Sequence, residues 1–277
     1  MKSTQIFFLF SLLFLCFYSC SKTENTPTPS PKPDSRTTVK VMTYNIWGAR
    51  NGGIPDLATL AEVIKRNKPD LVALQEVDKN TTRNTKHGDI AKKLGELTGM
   101  DYFFAKADNF YGGEYGDAVL SALPVLEKKG YNLEVDPALG GERRSVARIK
   151  VKKEGHTFYF ISTHLDHLGD ERNRIKQATD FVKLAKGFDL PVITGGDLNA
   201  LPESKTIGIL KEFFTLGCLN GNCTQYTFPT PRGNRTIDYI IYQPLNAFTP
   251  VSYIVDTWSN KESDHYPVVA TFTINSF

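Results

Sequence analysis

Val192-Ile-Thr-Gly-Gly-Asp-Leu-Asn-Ala200 is a short apolar run that breaks into two glycines, a carboxylate and a carboxamide. Val192–Thr194 reads as a buried strand, and the glycines let a backbone or ligand come close just where Asp197 and Asn199 emerge. In α/β proteins ligand chemistry gathers where strands give way to loops. Four more polar clusters sit beside strand-like runs: TYNIW with Asn45, LQEV with Glu76, STHLDH with His164, and SDH with Asp264 and His265. Carboxylates, carboxamides and imidazoles brought together from such distant points suit a hard divalent cation and a phosphoryl group.

The intervening sequence supports an α/β layering. Val39–Tyr44 alternates as a half-buried strand, and Leu57, Leu60, Ala61 and Ile64 mark a helix face, with Asp56 as N-cap. Leu71–Leu74 is strand-like and delivers Gln75 and Glu76 to its end. Ile90, Leu94 and Leu97 mark a second helix, and strand-like runs follow near Tyr102–Ala105 and Ala118–Ser121. Ser145–Val151 and Thr157–Ser162 read as neighbouring strands turned at Glu154-Gly155. Ile175, Ala178, Val182 and Ala185 form another stripe, and Ile207, Leu210 and Phe213 or Phe214 a last one. From Tyr226 onward strands dominate, including Ile237–Tyr242 and Val268–Thr273. Mixed strands with helices outside them indicate layered α/β.

Each cluster has a chemical reading and a plainer alternative. Glu76, at the end of a buried strand, is expected to ligate metal, since a lone desolvated carboxylate is costly; alone it is equally a surface charge. Asp264 can bind the cation while adjacent His265 contacts a phosphoryl oxygen. Asp238 is the natural carboxylate to keep that imidazole charged. An extended segment puts Asp197 and Asn199 on one side, so Asp197 would orient and deprotonate water and Asn199 would donate to the phosphoryl group; an Asx-type turn is the alternative. Asn45 would hydrogen-bond a metal water or a carboxylate. His164 suits a phosphate contact or leaving-group acid, with Asp166 and His167 as supporting or loop residues. Arg143 and Arg144 offer a phosphate fork, Arg144 being preferred.

The chain ends carry a different message. Lys2 precedes an apolar run, Ile6–Tyr18, too short to span a bilayer. Ser19-Cys20 resembles a bacterial lipoprotein processing site, so 1–19 is expected to be a signal peptide and Cys20 lipidated. Through residue 38 a Thr/Pro/Ser/Lys-rich stretch reads as a tether. The remainder, 39–277, fits one domain. Export to the bacterial cell envelope, lipid-anchored at the outer membrane on its periplasmic or surface face, and a monomeric state are expected. Cys218 and Cys223 close a short Gly/Asn loop, and an oxidising compartment favours a disulfide there. The net charge of +3 is no nucleic-acid footprint.

In order, Asn45, Glu76, His164, Asp197/Asn199, Asp238 and Asp264/His265 resemble the endonuclease/exonuclease/phosphatase superfamily, over about Val39 to the C-terminus. The resemblance implies a deoxyribonuclease I-like four-layer sandwich, with two mixed β-sheets packed face to face, helices outside and the site at one rim. It also implies Mg²⁺ or Mn²⁺ as cofactor and in-line phosphoester hydrolysis. Glu76 would hold the metal with Asn45 and Asp264, and Asp197 would align water. Asn199 would stabilise the transition state, His265 polarised by Asp238 would bind phosphate, and His164 would assist. Asn199-Ala200-Leu201 and Asp238-Tyr239 depart from the inositol phosphatases. The expected activity is therefore an exported phosphodiesterase or phosphatase. Its substrate would be a phosphorylated small molecule, a phospholipid headgroup or nucleic acid. A nonspecific extracellular endonuclease and a non-catalytic lipid-anchored binding protein are the alternatives.

Overall fold

A computed structural model describes residues 37–51, 54–221 and 223–275. The expected signal segment and nearly all of the tether lie outside the described residues, and the first strand begins one residue before the expected domain boundary. In chain order the strands are β1 (Thr38–Asn45), β2 (Arg50–Asn51), β3 (Ile54–Pro55), β4 (Leu71–Lys79), β5 (Asp101–Phe110), β6 (Gly113–Ser121), β7 (Val125–Leu133), β8 (Arg144–Lys153), β9 (His156–His164), β10 (Val192–Asp197), β11 (Thr215–Leu216), β12 (Asp238–Gln243), β13 (Phe248–Val255) and β14 (Val268–Ile274). The α-helices are α1 (Leu57–Asn67), α2 (Ile90–Thr98), α3 (Arg172–Ala185) and α4 (Lys205–Lys211).

Two six-stranded sheets, ordered β13-β14-β1-β4-β6-β5 and β11-β12-β10-β9-β8-β7, carry this chain. Both are mixed: β1–β4 and β9–β10 pair in parallel, and the other neighbours are antiparallel. The period-two alternation of a strand explains the layering. In β1, Val39 and Val41 enter a core shared with Phe158 and Phe160 of β9 and Ile193 of β10. Met42 and Tyr44, on the opposite face, pack with Leu57, Leu60 and Ile64 of α1. Tyr159 and Ile161 likewise meet Ala178 and Phe181 of α3. Three apolar layers thus separate helix, sheet, sheet and helix. The α1 start is fixed by Asp56, whose carboxylate accepts from the Ala58 and Thr59 amides.

Cys218 and Cys223 are joined, with Cα atoms 5.3 Å apart, closing the loop after β11. Strand β7 has no counterpart in the sequence reading. It is an edge strand exposed along most of its Leu126–Asn132 stretch, so it lacks the apolar alternation that betrays a half-buried strand.

The sheets approach closely beside Gly195. A Cβ there would fall 2.8 Å from the Cβ atoms of both Thr43 and Ala73. Gly195→Val is therefore expected to destabilise the domain by about 1–3 kcal/mol through overpacking, read as a lower urea midpoint. An unchanged midpoint would mean that the sheets are not in contact there.

Candidate active site

At one rim the apolar inter-sheet layer turns polar. Ile193 and Gly195 face the other sheet, and Asp197, two residues further on, continues that row. The strand register places His164 of β9 on one side of Asp197 and Asp238 of β12 on the other. From the facing sheet Asn45 donates its Nδ2 to Asp197 Oδ2 at 3.0 Å and to Glu76 Oε1 at 3.1 Å, while its Oδ1 accepts from the Trp47 amide at 3.0 Å. That amide contact fixes which end of the carboxamide points where. One row below, Gln75 Nε2 donates to Ser162 Oγ at 2.9 Å, a second polar tie between the sheets.

Glu76 reaches the rim by an irregularity. The register of β4 with β6 shifts between Leu74 and Val77, and Glu76 has φ 56°. Strict alternation would send Glu76 to the helix side with Val72 and Leu74; a bulge turns it toward the cleft. The left-handed conformation costs roughly 1–2 kcal/mol for a residue with a Cβ. Asn199 shows the same feature at φ 47°. The extended path expected through Asp197 and Asn199 stops at Asp197, because the Asn199 amide donates to Asp197 Oδ1 at 2.9 Å in an Asx-type turn. That turn still leaves Asn199 Nδ2 donating to the Leu165 carbonyl at 3.0 Å and lying 2.9 Å from His164 Nε2.

The two histidines carry opposite charge states. His265 Nδ1 lies 3.0 and 3.1 Å from the Asp238 oxygens, and its Nε2 lies 3.7 Å from Asp197 and 4.0 Å from Asp264. Burial alone would strip its proton, but Asp238 and Asp197 overcome that and push its pKa up to about 10. His164 is held well below the ordinary histidine value, first by burial and then by the Arg144 guanidinium. Arg144 lies 3.1 Å from His164 Nδ1. A guanidinium can only donate, so Nδ1 accepts from Arg144, while Nε2 faces the Asn199 carboxamide nitrogen at 2.9 Å and Asp197 Oδ2 at 3.4 Å. Asp197 is pushed up to about 7 by burial and by Asp238, against the pull of His265. Asp264 is raised by burial and, secondarily, by Glu76, which places those two carboxylates within each other's field.

Arg144 is buried apart from its approach to the cleft, where it pairs with Glu142 at 2.9 Å. Arg143 also lines the cleft, paired there with Asp108. Asp166 stands behind the site, accepting from the Glu142 and Leu168 amides, whereas His167 lines the cleft 3.4 Å from Arg144. A cleft of about 530 Å³ is lined by Glu76, Arg144, His164, Asp197, Asn199, Asp264 and His265; Asn45 and Asp238 support it from behind.

The sequence reading passed over several supports. Ser263 Oγ donates to the Asn45 carbonyl at 2.7 Å and accepts from the His265 amide, tying the Asp264–His265 turn to the end of β1. Phe228 packs on the His265 ring with centroids 4.6 Å apart. Asp117 of β6, fully buried and pushed up to about 7 by burial, accepts from Ser145. A carboxylate inside the apolar run of β6 was the available signal for Asp117; nothing local marks Phe228.

A divalent cation fits one part of this site. Glu76 and Asp264 make no ion pair with a lysine or arginine among the described residues, and their oxygens are hard donors in mutual repulsion. Asp197, Asp238 and His265 also offer ligand atoms all within 4.8 Å of one another. There, however, the imidazole is already the cation and its Nδ1 is committed to Asp238.

Residues 42–265 match the model of the endonuclease/exonuclease/phosphatase family. Sphingomyelinase C of Bacillus cereus is 24% identical over 87% of this chain and 90% of its own length. Nocturnin of Drosophila melanogaster is 30% identical over 52% of this chain, a match spanning only 23% of that protein. Among solved structures, a mannosyl-6-phosphatase of Bacteroides thetaiotaomicron superposes with a TM-score of 0.65 at 22% identity, covering 84% of this chain and 99% of its own.

The His265 proton stabilises the fold fully below the ordinary value of 6.5, and that stability is lost as pH rises through about 10. In proton NMR the His265 ring is expected to stay charged through pH 8.5. In Asp238→Asn its titration is expected to move down by at least one unit, and a midpoint near 6.5 in the unsubstituted chain would contradict the arrangement.

Proposed function

Because the chain belongs to the endonuclease/exonuclease/phosphatase family, whose members are hydrolases acting on phosphoesters, we propose that it is a divalent-metal-dependent hydrolase of phosphoester bonds. One observation carries this reading. An acidic pair without an arginine or lysine partner and an imidazolium lodged between two carboxylates meet in a single cleft.

Glu76 and Asp264, with Asn45 beside them, would hold Mg²⁺ or Mn²⁺, which when bound would supply Lewis acidity. The chain's own residues do the rest. Asp197, kept basic by its burial, aligns the attacking water and takes its proton. His265, charged across the neutral range, donates to a phosphoryl oxygen, and Asp238 fixes the ring. Arg144 and Asn199 add donors, and neutral His164 lies between them on the same side. Every one of these groups is in place before substrate arrives, so little reorganisation accompanies reaction.

The substrate is a phosphorylated small molecule or a phospholipid headgroup. A sphingomyelinase and a mannosyl-6-phosphatase stand among the similar proteins. A nuclease acting on a polyanionic backbone would be served by several free arginines along the cleft, yet three of the four arginines that line it, Arg83, Arg143 and Arg144, are each tied to a carboxylate, which leaves Arg235 alone. Mg²⁺-dependent plasmid cleavage that weakens with salt would reverse that preference. We also infer that residues 1–38 form a signal, a lipidated Cys20 and a tether, anchoring a monomer in the bacterial cell envelope.

Asp197→Ala and His265→Ala are each expected to lower kcat for 4-nitrophenyl phosphate or its bis ester by about 10²–10⁴-fold with an unchanged circular-dichroism spectrum. Chelation should abolish turnover, with Mg²⁺ or Mn²⁺ restoring it. Metal-independent turnover, or near-normal rates in both variants, would refute the assignment. Cys20→Ala should eliminate incorporation of radiolabelled palmitate in cells; persistent labelling would refute the anchor.

A further inference from the structure

The cleft is lined by four arginines, Arg83, Arg143, Arg144 and Arg235. The first three are neutralised within the protein. Arg83 Nε and Nη2 donate to the two oxygens of Asp78 at 2.7 and 2.8 Å, Arg143 forks onto Asp108 at 2.8 and 3.1 Å, and Arg144 meets Glu142 at 2.9 Å. Arg235 is different. Its guanidinium pairs with no carboxylate among the described residues, and its side chain is exposed to the cleft.

Its position is nonetheless set. The guanidinium lies 4.6 Å over the Phe228 ring, and that ring is 4.6 Å from the ring of His265. Phe228 and Arg235 face each other across a small hairpin, with the Phe228 amide donating to the Arg235 carbonyl at 3.1 Å and the Arg235 amide returning to Phe228 at 2.9 Å. The hairpin is clamped to the catalytic strands. Thr227 Oγ1 accepts from the Asp238 amide at 3.1 Å, and the Thr230 amide donates to the Asp264 carbonyl at 2.8 Å. A free arginine fork is thus fixed two 4.6 Å steps from the imidazolium that receives the reacting phosphate.

We propose that Arg235 is a specificity residue: the cleft takes phosphoesters whose organic part carries a second anionic group, a phosphate or a carboxylate, about one sugar ring away from the scissile phosphate. This rests on the phosphoester reading of the site and names its substrate class. The guanidinium presents paired N–H donors matched to either anion, and stacking on Phe228 removes part of the entropy lost when it binds. The scissile phosphate sits at His265, and the second anion lies over the outer edge of Phe228.

The test reads binding directly, on the purified full chain with Mg²⁺ and Asp197→Asn to silence turnover. Calorimetry compares a hexose 6-phosphate, a hexose 1,6-bisphosphate and 6-phosphogluconate. At least one of the two doubly anionic ligands is expected to bind tenfold or more tightly than the hexose 6-phosphate, and which one does so identifies the second group as phosphate or carboxylate. Adding R235Q should reduce that margin below threefold, and R235K should restore part of it. Affinities of all three ligands within threefold of one another, or a margin that survives R235Q, would overturn the proposal. Hydrolysis by the chain carrying Asp197 is scored separately: its absence would count against the proposed function, whereas the calorimetric margin decides the second anion subsite.

Discussion

The hydrogen bonds from Asn45 Nδ2 to Asp197 and Glu76 span the seam between the two sheets, and the site depends on that seam being narrow. Neither sheet owns the chemistry. One contributes Asn45 and Glu76, the other His164, Asp197 and Asp238, and the turn before β14 adds Asp264 and His265. One glycine-sized step decides whether these groups touch. Gly195 has no room for a methyl against Thr43 and Ala73, and directly past it the row of inward-facing residues changes from apolar to charged. The site is therefore the polar cap of the central core, and packing energy in the apolar layers below holds buried charges at fixed distances.

That placement has an electrostatic consequence. Asp197 and Asp238 lie opposite each other on paired strands, where like charges repel. His265 relieves the repulsion as a cation between them, and this explains why its proton is held so firmly. His164, on the other flank of Asp197, has an arginine where His265 has a carboxylate, and is neutral. Two imidazoles within one cleft are thus set to different protonation states by their neighbours. On the open side Glu76 and Asp264 have no lysine or arginine partner among the described residues, and Asp264 has the His265 ring 4.0 Å away.

The positions of the site residues were largely legible because strand ends have a simple grammar. A buried strand that stops at a carboxylate, as at Asp197, or at a histidine, as at His164, is visible as an abrupt loss of apolar character. The layered α/β class followed from alternating period-two and period-3.6 segments, and the Asp56 cap from a single residue. Less legible was anything produced by an irregular backbone. The bulge that re-aims Glu76 and the Asx turn that bends Asn199 back to His164 leave no periodic trace. Edge strand β7 was invisible because no face of it is well buried. Phe228 and Arg235 face each other across a hairpin that is held against the site by contacts with Asp238 and Asp264, residues that no local pattern connects to it.

The sequence by itself determined which residue types would reach the rim and in what order, since side-chain identity and strand parity are local properties, and through its family resemblance that they belong to a phosphoester hydrolase. Only the tertiary structure decided which histidine is charged, which arginine is free and which carboxylates face one another. Those depend on distances between strands far apart in the chain, and electrostatic energies in a buried site change steeply with such distances.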